Sequence, residues 1–227
     1  MVSIITCTMR EEFMDNVFAN YERQIGEDKE LIIILNRGTM DFKRWEEKAS
    51  GYRNVNIYQL GEEYTLGDCL NFAIDQSKYD YIAKFDDDDY YGAAYIIRSI
   101  EGFKKPDVSI VGKNSFYMYI KSKRALILAN DKEHTYTDWV AGATLVVKKE
   151  VFSKVKFRSR NIAEDAFFIA DCKLYGFKMY STDRFDFTAL RRDPNEHTWQ
   201  VSDEVLLNWG QLVAYTDDFE SIVSTNA

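Results

Sequence analysis

Apolar residues along the first hundred positions switch between two periods. Residues 2–6 form a short, mainly apolar run, and Leu31-Ile32-Ile33-Ile34-Leu35 is unbroken, as in parallel strands covered on both faces. Between them Phe13, Val17, Tyr21 and Ile25 recur every fourth residue, the spacing of one helix face. The turn-forming stretch Asn36-Arg37-Gly38-Thr39 leads to a short helix predicted over 41–49 and a third strand over 55–58. Thr65 and Asp68 make a capping-box pattern, opening a helix whose core face is Leu66, Leu70, Ala73 and Ile74. Residues 79–85 read as a fourth strand, and Ile96, Ile100 and Phe103 mark the next helix, closed by Pro106. Such alternation predicts an open, mainly parallel sheet with right-handed crossovers, and ligands at the carboxyl ends of its strands.

Beyond residue 106 the pattern changes. A strand is predicted over 108–111, and apolar runs over 116–120 and 125–129 flank Lys121-Ser122-Lys123-Arg124, which reads as a hairpin. Another strand is expected over 139–147 and a short helix over 149–154. Ala163-Glu164-Asp165 precedes a helix with the stripe Phe167, Ala170 and Leu174 and a C-capping Gly176. Strands over 177–181 and 185–190 follow. The chain thus divides into segments 1–105, 106–200 and an acidic, amphipathic tail over 201–227, within one compact domain.

The four acids Asp86-Asp87-Asp88-Asp89 stand directly after the fourth predicted strand and before Tyr90-Tyr91-Gly92. Four adjacent carboxylates repel one another, and a divalent cation or a phosphate-bound metal would neutralise them. Oxygen ligands on a short loop suit Mg²⁺ or Mn²⁺, with the rest of the shell left to water and a diphosphate. A plain solvated loop is the competing reading. An EF-hand is excluded, because Tyr90 and Tyr91 fall where its fifth-position ligand and sixth-position glycine belong.

Composition narrows the classes. The 227 residues are 46% hydrophobic and 15% aromatic, enough to bury a sizeable core. A net charge of −8 argues against general nucleic-acid binding. Cys7, Cys69 and Cys172 are odd in number, far apart and without a C-x-x-C pair, which argues against a disulfide framework or a structural zinc site. Reduced thiols and the lack of a signal-like or membrane-length apolar run lead to the expectation of a cytoplasmic protein. Peripheral membrane attachment is left open, and the sequence specifies no oligomeric state.

The order of these pieces resembles glycosyltransferase family 2, whose members have the GT-A fold. Four segments within about residues 1–200 carry the resemblance: the strand at 2–6, the strand and turn at 31–39, the D-x-D segment at 82–89 and the E-D pair in Ala163-Glu164-Asp165. It implies an α/β fold with a Rossmann-like, mainly parallel central sheet flanked by helices, and a smaller mixed sheet on the acceptor side. Residues 1–105 would bind the nucleotide sugar, and 106–200 would bind the acceptor and supply the base. The implied activity is metal-dependent, inverting transfer from a nucleotide diphosphate sugar, foremost a UDP-sugar, to a saccharide or glycoconjugate hydroxyl. Cell-surface or extracellular polysaccharide or glycoconjugate synthesis is the implied setting.

Position by position, the resemblance makes Asp88 a direct metal ligand and sets Asp86 against the donor's ribose or a metal-bound water. Asp165 becomes the catalytic base, facing the metal across a cleft for in-line attack. Glu164 orients Asp165 or a sugar hydroxyl. Thr6 and Asn36 would sit at base and ribose, with Thr8, Arg10, Lys84 and Asp87 completing the nucleotide-binding set. Asn36 stands where the family often has an acid, which weakens the case for uracil. Arg191, Arg192 and His197 suggest a loop over the diphosphate, His197 being either a third metal ligand or a mere turn cap. Lys84 could simply balance the acids. Trp139, Asp138, Tyr117 and Gly142 are set on the acceptor side, where aromatic faces stack on sugars, although core burial would also account for the aromatics. The Q-x-x-R-W signature of processive members is absent, which favours a single addition. The competing reading is a module that binds a nucleotide sugar without turning it over.

Overall fold

The computed structural model describes residues 1–26, 28–193 and 200–225. The strands in chain order are β1 (Val2–Thr8), β2 (Lys29–Leu35), β3 (Val55–Gln59), β4 (Tyr81–Lys84), β5 (Tyr90–Tyr91), β6 (Val108–Gly112) and β7 (Phe116–Ile120). They continue with β8 (Ala125–Ala129), β9 (Thr135–Thr137), β10 (Val146–Lys148), β11 (Lys178–Ser181), β12 (Phe187–Arg191) and β13 (Gln211–Tyr215). The α-helices are α1 (Met14–Arg23), α2 (Phe42–Ala49), α3 (Leu66–Gln76), α4 (Tyr95–Gly102), α5 (Glu164–Leu174), α6 (Asp203–Trp209) and α7 (Glu220–Val223).

The larger sheet has the order β3-β2-β1-β4-β10-β6-β11-β9. Its first four strands are mutually parallel, and β10 runs antiparallel between β4 and β6. The aliphatic run predicted as a doubly covered strand is β2, and from Leu31 to Leu35 it is buried throughout. Its side chains divide between two cores: Leu31, Ile33 and Leu35 join the one that contains Phe18 and Trp45, while Ile32 and Ile34 join the one that contains Leu70 and Phe168. Thr65 and Asp68 form the predicted capping box at the start of α3.

The smaller sheet has the order β13-β8-β7-β12-β5. The predicted hairpin is β7–β8, closed by a 3₁₀ turn after which Arg124 adopts positive φ. Residues beyond 200, set apart in the sequence as a tail, pack onto this sheet: β13 pairs with β8, and Val223 is buried against Tyr90 and Tyr119.

Two expected elements differ. The strand over 139–147 is confined to β10, and Gly142–Thr144 forms a 3₁₀ turn in its place. In α5 the buried face is Glu164, Phe168, Ile169 and Cys172, while Leu174 is 83% exposed. Phe168 stacks on Phe157 with ring centroids 4.4 Å apart, so packing against the 150s loop chose the helix's rotation. Ile25 likewise lies outside α1 and is exposed.

Candidate active site

The four acids fill the loop between β4 and β5, where the chain leaves the larger sheet and enters the smaller one. They lie at the carboxyl end of β4 beside that of β1, at the point where strand order reverses, which is the expected ligand position in an open α/β sheet. Their side chains alternate. Asp86 and Asp88 keep 36% and 13% side-chain exposure, whereas that of Asp87 is 5%. Asp87 turns inward to accept from the Thr8 hydroxyl and the Arg10 guanidinium. Burial raises its carboxyl to about 6, with Arg10 and Thr8 pulling the other way. Asp89 accepts from the Leu190 N–H at 3.0 Å, and burial together with Asp88 and Asp86 raises its carboxyl further.

The loop is held from beneath by two asparagines of α1. Asn16 Nδ2 donates to the carbonyls of Asp87 and Asp89, at 2.7 and 2.9 Å. Asn20 Nδ2 donates to the Asp89 carbonyl at 2.8 Å, and its Oδ1 accepts from Tyr91 N–H at 3.1 Å. Neither residue stood out in the sequence. The available signal was two amides one helical turn apart within an apolar stripe, since buried polar side chains are retained where they satisfy backbone groups.

Charge compensation is more local than the sequence suggested. Lys84, buried on β4, pairs with Asp86. Burial alone would lower its ammonium, but Asp86, Glu164 and Asp165 together hold it above the ordinary lysine range. Arg10 Nη2 lies 3.1 Å and Arg192 Nη1 3.5 Å from Asp88 Oδ2. Arg192 also donates to the Asp88 carbonyl at 2.9 Å. Both guanidiniums lie over the Phe13 ring, 4.4 and 4.5 Å from its centroid. Arg191, at the end of β12, is buried; burial lowers its guanidinium, opposed by Asp89 and Asp88. The chain's own cations therefore meet much of the repulsion that the sequence assigned to a metal.

The second acidic pair approaches across the Gly142 turn. Ala163 has φ 58°, a left-handed backbone that costs a non-glycine residue about 1 kcal/mol, and it swings the chain into the first turn of α5. Asp165 accepts from the Ala166 N–H at 2.7 Å, and its carboxylate lies against the Cα of Gly142. A Cβ on Gly142 would fall 1.7 Å from Asp165 Oδ2. Gly142, expected on the acceptor side, is thus the seat of Asp165. Glu164 is buried, and burial raises its carboxyl, with Lys84 opposing and Asp165 adding to the rise.

Other predicted residues fall as follows. β1 extends to Thr8, so Thr6 is inside the strand opposite Ile33, and Thr8 is the terminal residue. Asn36 follows β2 and donates both amide hydrogens, to the carbonyls of Gly61 at 2.9 Å and Tyr64 at 3.1 Å. Trp139 is 39% exposed, Asp138 pairs with Lys173, and Tyr117 is buried beside Phe185. His197 lies outside the described residues. Among the described residues, no group of three or more His, Cys, Asp or Glu converges as a ready-made metal centre. Asp86 and Asp88 nonetheless offer hard oxygens on a short loop, the donor chemistry of a magnesium or manganese ion that takes most of its shell from elsewhere. On that ground the residues fit such an ion.

Comparison with known families decides the class. The sequence profile described as glycosyl transferase family 2 matches residues 3–180. The chain belongs to that family. The family is one of glycosyltransferases, and the two sheets correspond to the GT-A fold. A solved structure of S. aureus TarS 1–349 in complex with UDP-GlcNAc is 15% identical, over 84% of this chain and 58% of that one, with TM-score 0.67. The mannosyltransferase PcManGT from Pyrobaculum calidifontis, in complex with GDP-Man and Mn²⁺, is 14% identical over 85% of this chain and 57% of that one, with TM-score 0.65. At such identity the likeness establishes the fold, and this chain spans less than two thirds of either protein's length. Comparison with curated proteins gave no significant match.

Proposed function

We propose that this family 2 member transfers a sugar with inversion from a nucleotide diphosphate donor, foremost a UDP-sugar, to a hydroxyl of a saccharide or glycoconjugate acceptor, with Mn²⁺ or Mg²⁺ as cofactor. The observation that carries the reading is the acidic loop at the carboxyl end of β4, whose Asp86 pairs with the buried Lys84, an ammonium also held up by Glu164 and Asp165. One buried cation joining both acidic elements supports two walls of a single cleft. Free cysteines at 7, 69 and 172 support the cytoplasm as working compartment, with cell-surface or extracellular polysaccharide or glycoconjugate as the product class.

In this reading Asp86 and Asp88 would hold the cation, which when bound would supply positive charge to the departing diphosphate oxygens. Arg10 and Arg192 present guanidinium forks beside Asp88, suited to phosphate oxygens. Asn36 has spent its amide hydrogens on Gly61 and Tyr64, which leaves its Oδ1 as an acceptor for a base N–H such as that of uracil. Asp165, fixed over Gly142, takes the proton of the acceptor hydroxyl as it attacks, and Glu164 beside it orients the sugar.

The test is Asp165→Asn, assayed for transfer and donor hydrolysis with UDP-sugars and Mn²⁺. Activity should fall by about 10²–10⁴-fold, with nucleotide affinity by calorimetry retained. Full activity in the variant would remove Asp165 as the base. Binding without turnover in the unaltered protein, across donors and acceptors, would identify a non-catalytic nucleotide-sugar module instead.

A further inference from the structure

The acidic loop and the Asp165 seat come from segments more than fifty residues apart, yet one side chain touches both. The Tyr91 hydroxyl accepts from the Asp86 N–H at 2.8 Å and donates to the Ala143 carbonyl at 2.7 Å. Asp86 opens the acidic loop, and Ala143 follows Gly142, on whose Cα the Asp165 carboxylate rests. Tyr91 is fully buried. Its ring stacks on Phe85 at 3.8 Å with planes 5° apart, and Tyr95 and Phe187 pack around it at 5.1 and 5.2 Å. A ring so enclosed has one available position, so its hydroxyl fixes the separation of the two groups it bonds. The adjacent Tyr95 hydroxyl donates to the Thr144 carbonyl at 2.8 Å and makes no bond to the acidic loop. It supports the same turn without bridging.

We infer that Tyr91 is a positioning residue that holds the cation-binding loop and the seat of the catalytic base at a fixed spacing, so that donor and base are aligned before substrate enters. The inference rests on the proposed role of Asp165. The hydroxyl performs no proton transfer in the reaction. It acts through Asp86 on one side and through Ala143 and Gly142 on the other, and in-line transfer is steeply sensitive to that spacing.

Tyr91→Phe removes both hydrogen bonds and keeps the ring, and Tyr95→Phe serves as the matched control. Hydrogen exchange is read in peptides covering 85–89 and 141–145, alongside kcat, KM and nucleotide affinity with Mn²⁺. Tyr91→Phe should accelerate exchange in both peptides together and lower kcat by about 10–100-fold, with a much smaller change in KM. Tyr95→Phe should affect 141–145 alone. Adding Tyr91→Phe to Asp165→Asn should cost little further activity, because the spacing matters only while the base is present. Unchanged exchange at 85–89, a kcat loss no larger than that of Tyr95→Phe, or full additivity with Asp165→Asn would each overturn the inference. Full activity in Asp165→Asn alone would instead overturn the assignment of the base, and the exchange result would still report whether Tyr91 bridges the two segments.

Discussion

Gly142 offers the sharpest test of how Asp165, the proposed base, is held. A methyl group at this position would meet Asp165 Oδ2 at 1.7 Å, Cγ at 2.4 Å and Cβ at 2.6 Å. Non-bonded contacts of this kind settle near ~3.5 Å, so the carboxylate must retreat by on the order of 1.5 Å. A rotamer change alone does not relieve the contact with Cβ, and the start of α5 must move as well. The left-handed Ala163 immediately before that helix leaves little slack, since further distortion there adds to a conformation already costly for alanine. A displacement of about 1 Å at a reacting group costs roughly a hundredfold in rate. Gly142→Ala should therefore lower kcat by about two orders of magnitude. Nucleotide and Mn²⁺ affinity should stay close to that of the unaltered protein, because the acidic loop is untouched. The assay is steady-state transfer from a UDP-sugar, paired with calorimetry of UDP in the presence of Mn²⁺. A fall in affinity with kcat preserved would refute the reasoning and tie Gly142 to the donor site rather than to Asp165.

Two further outcomes follow from charge. Arg10→Met should raise the affinity of the nucleotide-free protein for Mn²⁺, since Asp88 loses a competing guanidinium, and should weaken UDP binding; calorimetry of Mn²⁺ alone checks the first, and a lowered Mn²⁺ affinity would contradict it. Behind the tyrosine cluster, where Lys113 lies 5.5 Å from the Tyr95 ring, Asp183 pairs with Lys113 at 3.3 Å and Arg98 at 2.9 Å. Burial opposes its ionisation, but Lys113 and Arg98 outweigh it and hold the carboxyl below its ordinary 3.8. Its contribution to stability is complete above that value and is lost as pH falls through the lowered one. Asp183→Asn should cost about 3 kcal/mol at neutral pH and flatten the acid limb below pH ~4, read from urea midpoints at several pH values; an unchanged neutral midpoint would count against the pair.

Much of the first hundred residues was legible locally. Unbroken aliphatic runs are buried strands because nothing polar in them can face water, and β2 obeys this residue by residue. The capping box at Thr65 and the hairpin around Lys121 rest on contacts within a few positions, which sequence spacing encodes directly. The inward Asp87 between the more exposed Asp86 and Asp88 belongs to a turn after β4, so strand alternation alone does not account for it. Failures fell where more than one local pattern was available. In α5 the apolar residues can be grouped into two faces, and only Phe157 and Phe152 select Phe168 over Leu174. The apolar run over 139–147 has the composition of a strand, yet most of it is turned aside around the seat of Asp165.

The sequence by itself determined the order of elements, the acidic loop at a strand's end and the family that follows from both. Only the tertiary structure decided that Arg10 and Arg192 join Lys84 in sharing the charge of that loop, that Gly142 carries Asp165, and that Tyr91 bridges the two. Hydrophobic periodicity records which side of an element is dry. It carries no information about which distant polar group will be met there, because that partner is set by how whole sheets and helices pack.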